Sequence, residues 1–348
     1  GVQETSLQTS TYAAQNTLTK INKSGNNPAI GATWNGSSAA DSFDGYMAEV
    51  FFIDGTQYAA SDFGEYDEDS PTIWIPKDCS GDLTFGNNGF YLDFKDSANL
   101  GNDANGGTDL AEGNIVAADQ CTDTPTNNFC TLNPLDGTIL ASGGLLEGNT
   151  TYNKSSTGSD HNTTTLGTLG AANGKWYFET KIGDANQIVI GFMDANHGAY
   201  DSSNNLWQIA GSESYGYREL GQRYVSTTVT ADHFNTYTTN DIISIAIDLD
   251  NGKVYAAKNG TWETSGDPTS GATGTGSFAD ISDTTKTFVP VIGNLNYDVA
   301  SIHYLNFGNP SYANSSSAAD ENGYGDFEYA PPSGYLALCT KNLGSDGG

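Results

Sequence analysis

The chain predicts an all-β protein with very little helix, and three observations predict it. It is rich in turn-forming residues, with 42 glycines among 348 residues, abundant Ser, Thr and Asn, and 11% aromatics. No long stretch repeats apolar residues at i, i+3 and i+4, the spacing of a helix face. Between 242 and 249, Ile243, Ile245, Ile247 and Leu249 alternate with Ser244, Ala246 and Asp248, the period of two that buries one face of a strand.

Taken in order, Phe43-Asp44-Gly45 leads into a strand from Met47 to Ile53, and Asp54-Gly55 turns the chain. Ser61 then reads as the N-cap of a short helical turn at 62–65. Residues 86–107 offer one more strand, NGFYLDF, followed by an Asp/Gly-rich turn. Residues 95–128 read as a long connecting loop, where Thr124-Pro125-Thr126 and Asn133-Pro134 stop regular structure. The strongest strand signals follow, in GKWYFETKI (174–182), IVIGF (188–192), DIISIAIDLDNGKVYAAKNGTW (241–262) and SIHYLNFG (301–308). Asn251-Gly252 suits a type I′ hairpin turn, Val254 to Ala257 returns as its partner strand, and Asn259-Gly260 makes a second turn before Trp262. Trp176, Phe178, Trp262, His303 and Phe307 take strand positions expected in the core, with His303 satisfied there. The Ser/Thr/Gly stretches at 149–170 and 264–277 are expected as exposed loops. Tyr335 to Leu338, after Pro331-Pro332, is expected as a terminal strand.

Composition excludes some partners. A net charge of −29, from 13 Lys and Arg against 42 Asp and Glu, repels nucleic acid and anionic membranes. No run reaches 18 apolar residues, so no segment inserts in a membrane as a helix. Strong acidity suits solubility in saline, marine-type water. The four cysteines share no C-x-x-C spacing, which argues against zinc and for buried free thiols. The start at Gly1 and the tail NLGSDGG (342–348) read as marks of a piece of a longer chain.

No catalytic constellation stands out. Retaining glycosidases need two carboxylates on one strand face; the nearest match, Glu65-Tyr66-Asp67-Glu68-Asp69, lacks the closing Glu and reads as a solvated loop. Calcium is the candidate cation. Asp103, Asn105 and Asp109 alternate in a Gly-rich loop as hard-cation ligands do, without a bidentate Glu at the twelfth position. Ligand contact is expected instead at Tyr200, Trp207, Tyr215, Tyr217, Arg218, Arg223 and Tyr224. Aromatic rings there can stack on sugars or peptides beside two of the chain's few cations; Trp207 and Tyr217 serve equally well as core.

The order of the segments between Gly174 and Gly308 resembles a SPRY domain, over roughly 131–343, and implies a bent β-sandwich that binds through loops and does not catalyse. SFDGYMAEVFFIDGTQYAASDFGE (42–65) resembles the closing strands of a laminin-G/concanavalin A-like jelly roll. The expected organisation is therefore two sandwich modules, 1–130 and 131–343, with a tail at 344–348. GYMAEVFFIDG, NGFYLDF, DTPTNNFCTLNPLD and PPSGYLALCTKNL, in that order, resemble virion proteins of marine tailed phages, including cyanophages. That likeness implies a non-enzymatic protein of the virion surface, of tail-fibre or receptor-binding type, homo-oligomeric among other virion proteins. It would recognise a host surface glycan or protein; the alternative is a purely architectural capsid decoration or fibre part. A glycan depolymerase and a cellular secreted adhesin are the remoter readings.

Overall fold

The computed structural model describes residues 29–34, 38–43, 45–66, 74–79, 81–124, 126–137, 143–154, 163–184, 187–197, 213–295 and 300–346. The fold is all-β with very little helix, as the sequence predicts. The chain divides into two compact units, 1–120 and 121–348. Residues 121–130, assigned to the first module on sequence, thus belong with the second.

In the first unit, β1 (Thr33–Trp34), β2 (Ala39–Ala40), β3 (Val50–Phe52), β4 (Gly64–Tyr66), β5 (Trp74–Pro76) and β6 (Phe90–Leu92) form three antiparallel ladders, β1 with β2, β3 with β6 and β4 with β5. Strand β3 is shorter than expected, with Met47 left 40% exposed. Phe51 of β3 stacks on Tyr91 of β6 at 4.5 Å and leans on Phe63 and Phe85, so aromatic packing closes this ladder across a long loop. The helical turn falls at Ala60–Asp62, with Ser61 inside it; the cap is the Asp62 carboxylate, which accepts the Ala59 amide at 2.6 Å. Glu65 and Tyr66 lie on a strand instead of in the expected loop, because Tyr66 packs edge-on against Trp74 at 5.0 Å. Asp67 is outside the described residues.

The second unit is a sandwich. Its strands are β7 (Leu132–Gly137), β8 (Gly143–Leu146), β9 (Thr151–Lys154), β10 (Thr163–Gly167), β11 (Lys175–Ile182), β12 (Ile188–Asp194), β13 (Ser214–Arg218), β14 (Gln222–Val225), β15 (Thr228–Thr230), β16 (Ile242–Asp248), β17 (Lys253–Lys258), β18 (Thr261–Trp262), β19 (Ala279–Asp280), β20 (Phe288–Asn294), β21 (Ser301–Asn306) and β22 (Leu336–Ala337). One sheet runs β15-β14-β13-β12-β20-β10-β7. The other runs β18-β17-β16-β11-β21-β9-β8, with β19 beside β17 and β22 parallel to β11.

The alternation read at 243–249 is the core: Ile243, Ile245, Ile247 and Leu249 are all buried with Phe178, Ile190, Phe192, Ile292 and Leu305. Phe178 of one sheet meets Phe192 of the other edge-to-face at 5.3 Å. At mid-β12 the backbones close up so far that a Cβ on Gly191 would lie 1.8 Å from the Tyr215 carbonyl oxygen, which excludes any side chain there.

Several expectations are corrected. Asn251-Gly252 is not a two-residue turn: Asp248 pairs with Lys253, leaving a four-residue loop in which only Gly252 takes positive φ. Leu249 must first reach the core, and both Asp248 carboxylate oxygens accept from Asn251. The expected exposed loop at 149–170 contains β9 and β10, which lies between β20 and β7 and whose residues are all buried. Its β-branched Thr163, Thr164 and Thr165 pair with β20, and Thr165 also with Gly137 of β7, so threonine supplies strand structure without an apolar signal. The tail read from residue 342 starts within helix α1 (Thr340–Asp346), because Asn342 is buried and donates to Asp320 Oδ2 (2.8 Å) and the Ala337 carbonyl (2.9 Å). All four thiols are free, but Cys121 is exposed while Cys79, Cys130 and Cys339 are buried. No described helix is long and apolar enough to cross a membrane.

Candidate functional site

A cleft of about 380 Å³ opens beside the β17–β18 hairpin, lined by Asn235, Thr236, Lys258, Asn259, Thr261, Trp262 and Glu263. The hairpin's two-residue turn is the one the sequence indicates, with both Asn259 (φ 47°) and Gly260 (φ 75°) left-handed and Lys258 paired to Thr261. It is locked from beneath: the Ile242 amide donates to Asn259 Oδ1 at 2.8 Å, and Asn259 Nδ2 donates to Asp241 at 2.7 Å. Lys258 Nζ bonds the Thr236 carbonyl (2.8 Å) and pairs with Asp241 (3.1 Å). Asp241 is partly desolvated, yet the Thr238 amide, Asn259 and Lys258 hold its carboxyl below the usual range.

Trp262 is half-buried and rests edge-on against Tyr255 at 6.4 Å, so it lines the cleft instead of entering the core as expected. Glu263 behind it is buried and takes the Asn235 amide (3.1 Å), Asn235 Nδ2 (3.0 Å) and the Tyr217 hydroxyl (3.2 Å). Burial and this carboxylate push the Tyr217 phenol upward. Directly after Glu263, Thr264 (φ 55°) and Ser265 (φ 54°) are both left-handed. Two non-glycine residues in that region cost of order 1–3 kcal/mol each, a strain that tends to gather where side chains are held for function. The Thr264 hydroxyl, donating to the Gly276 carbonyl at 2.5 Å, helps hold the bend. The result is an indole, an ammonium and amide groups fixed around one opening, apt for contact with a ligand.

The residues expected to touch ligand are distributed otherwise. Tyr200 and Trp207 lie outside the described residues. Tyr215 and Tyr217 point into the core from alternate positions of β13, 1% and 0% exposed, with Tyr217 packed on Phe234 and Tyr237. Tyr224 is buried in a second apolar layer with Val189, Met193 and Val291. Arg218 is tied to Glu219 (3.3 Å), Gln222 (2.8 Å) and Gln187 (2.9 Å). Arg223 donates to the Phe278 carbonyl (3.0 Å) and Thr230 Oγ1 (3.2 Å) and, unlike Arg218, has no carboxylate partner among the described residues.

The proposed calcium ligands hold a loop. Asp103 Oδ1 accepts the amides of Tyr91 (2.9 Å) and Asn105 (3.0 Å), and Oδ2 accepts Gly107 (3.1 Å). Asp109 accepts the Asp103 amide (3.0 Å) and Asn99 Nδ2 (2.8 Å), which hold its carboxyl below the usual range. Asn105 contributes its amide and stays exposed. Among the described residues no three His, Cys, Asp or Glu side chains gather as metal ligands do.

His303 is in the core but not satisfied: among the described residues neither ring nitrogen has a partner. Sequence reading missed Lys258, Glu263 and Asn235. The one sequence signal for the cleft was an aromatic residue placed immediately after an Asn-Gly hairpin.

Residues 175–304 match the SPRY domain family. SPRY domains generally mediate protein–protein interactions. No curated protein matches the chain. Among solved structures it is similar to the SPRY domain of human HERC1, at 13% identity and a TM-score of 0.36, over 50% of this chain and 96% of that one.

Proposed function

We propose that this chain is a non-enzymatic recognition protein whose second unit presents the Trp262 cleft to a partner. The observation that carries the reading is that the SPRY match, 175–304, contains every residue of that cleft. The partially exposed indole can supply apolar contact area at low entropic cost, and Lys258 is a cation held ready beside it.

The segments that resemble those of marine tailed phages support the further reading that the protein sits on a virion surface and attaches to a host glycan or protein. That reading rests on the sequence resemblance. The purified chain, fluorescently labelled, should bind intact marine cyanobacterial cells saturably. Trp262→Ala and Lys258→Glu should each weaken binding tenfold or more, about the 1.4 kcal/mol of one good contact. Equal binding by both variants would remove the cleft from the account. No saturable binding would leave the purely architectural reading.

A further inference from the structure

We propose, resting on the reading of the Trp262 cleft as a recognition site, that it takes a neutral sugar: a pyranose unit of a glycan, stacked on the indole and held through its hydroxyls. The cleft's volume of about 380 Å³ falls within the roughly 300–1,000 Å³ of small-ligand sites. Its charges are already engaged inside the protein. Lys258 Nζ lies 3.1 Å from the Asp241 carboxylate and donates to the Thr236 carbonyl at 2.8 Å. Asp241 also accepts the Thr238 amide and Asn259 Nδ2, both at 2.7 Å. Glu263 is buried, with Asn235 and the Tyr217 hydroxyl donating to it. An anionic ligand would find the lysine already paired, on a chain whose net charge is −29. A cationic one would find both carboxylates occupied.

What the cleft leaves to a ligand is an apolar ring and a set of hydrogen-bonding groups. Trp262 is half-buried, its ring edge-on to Tyr255 at 6.4 Å, so part of the indole meets solvent. Thr236 and Thr261 are exposed in the wall, and a hydroxyl donates one hydrogen bond and accepts two. Asn235 directs its amide and its Nδ2 to Glu263, which leaves Oδ1 to accept. Lys258 uses two of its three N–H donors within the protein and keeps one, on a side chain still 26% exposed. A pyranose ring has the complementary form. Its C–H face packs on the electron-rich face of an indole, and its rim of hydroxyls both donates and accepts. The left-handed Asn259-Gly260 turn and the Ile242 amide fix the wall in advance, which lowers the ordering cost of binding.

A peptide fits the same cleft less well. An extended peptide gains most of its hold by adding its backbone to an edge strand. Strand β18 is at the end of its sheet, but it is two residues long, and the chain turns off at the left-handed Thr264 and Ser265. That leaves too short a ladder to hold a strand, whereas a sugar needs none.

The chain has five tryptophans, so the ¹⁵N-labelled protein has five indole N–H signals, and Trp262→Phe identifies one of them. Titration with the neutral trisaccharides of glucose, galactose and mannose should shift the Trp262 signal saturably with at least one of them and leave buried Trp176 unmoved. The uronate counterpart of that sugar, at constant ionic strength, should bind at least tenfold more weakly. Thr261→Val, at an exposed position, should weaken binding about fivefold, the share of one neutral hydrogen bond. No saturable shift with any neutral trisaccharide, an equal or tighter uronate, or saturation by an uncharged Ser/Thr/Asn pentapeptide instead would overturn the proposal. Its failure is distinguishable from failure of the recognition reading. If Trp262→Ala lowers cell binding while no sugar shifts the signal, the cleft stands and the sugar is lost. If a sugar shifts the signal while Trp262→Ala leaves cell binding unchanged, the sugar site stands and its part in attachment is lost.

Discussion

Glu179 and His303 lie on neighbouring strands of the same sheet, both fully buried, and they meet burial in opposite ways. Glu179, on the outer face of β11, receives four donors: the Tyr177 hydroxyl (2.8 Å), the Tyr329 amide (2.8 Å), the Glu328 amide (2.9 Å) and Asn306 Nδ2 (3.2 Å). His303, on the inner face of β21, receives none, and neither does Thr180 Oγ1 on the same inner face. Two of the four donors at Glu179 come from the segment 309–339. That segment returns over the outer face and buries Phe327, Tyr335 and Cys339 against Tyr177, Ala246 and Tyr255. A polar group can therefore sit inside this sheet when a later part of the chain brings partners to it. On the inner face, where none of the described side chains brings His303 or Thr180 a hydrogen-bond partner, it stands alone.

The comparison breaks most severely if the clamp is emptied. Glu179→Ala would leave two backbone amides, a phenol and a carboxamide without their acceptor. At about 1–3 kcal/mol for each unmet donor, less whatever relaxes, a loss of about 5 kcal/mol is expected. Urea unfolding measures it. A loss below about 1 kcal/mol would mean that the returning segment is held by its apolar contacts alone.

The pH response should separate the two groups next. Burial pushes the Glu179 carboxyl up to about 7 from 4.5, against the pull of its four donors. Its folded form holds the proton more tightly, so its contribution to stability is full below 4.5 and is lost as pH rises through 7. Burial pulls the His303 imidazole down to about 3 from 6.5. Its contribution has the opposite sign, full above 6.5 and lost as pH falls towards 3. Between about 4.5 and 6.5 the two slopes oppose each other. His303→Leu should therefore gain relative to the parent as pH falls, by roughly 4 kcal/mol between pH 6.5 and 3, and leave the descending slope of Glu179 uncovered. Unfolding curves across pH 3–8 for both proteins test this. A variant–parent difference independent of pH would show that His303 has an unseen partner.

How much of this was legible follows from how far apart the partners lie. The inner face announced itself because Ile243, Ile245, Ile247 and Leu249 carry their periodicity within eight residues, and Asn259-Gly260 marked its turn by local backbone chemistry alone. Strands β9 and β10 escaped because threonine and lysine fill buried positions there. The Glu179 clamp could not be read, since its backbone donors are 149 and 150 residues away. The cleft was half-legible. Trp262 was noticed for its position but placed in the core, because period two cannot say that a two-residue strand at the sheet edge leaves its ring half-covered. Arg223 was picked out for its rarity, whereas its buried Nε without an acceptor among the described residues appears only once the hairpin is folded.

The smallest expected effect bears most directly on the inner face. Thr180 pairs with Leu305 across the β11–β21 ladder, two residues from His303, and its hydroxyl is buried without a partner. Valine has nearly the same shape and no hydroxyl. Removing an unmet polar group without opening a cavity should raise stability by about 1 kcal/mol. Removing a hydroxyl that in fact bonds a buried water would lower it instead. Thr180→Val and His303→Leu, made singly and together, distinguish these cases. If both groups are solitary, the effects add within about 0.5 kcal/mol; if a buried water joins them, the double variant departs from additivity by more than that. Additive gains would confirm an inner face that tolerates stranded polar groups because the surrounding apolar contacts outweigh them. A strong coupling would show instead that the inner face solves its burial problem as Glu179 does, with a water in place of the returning segment.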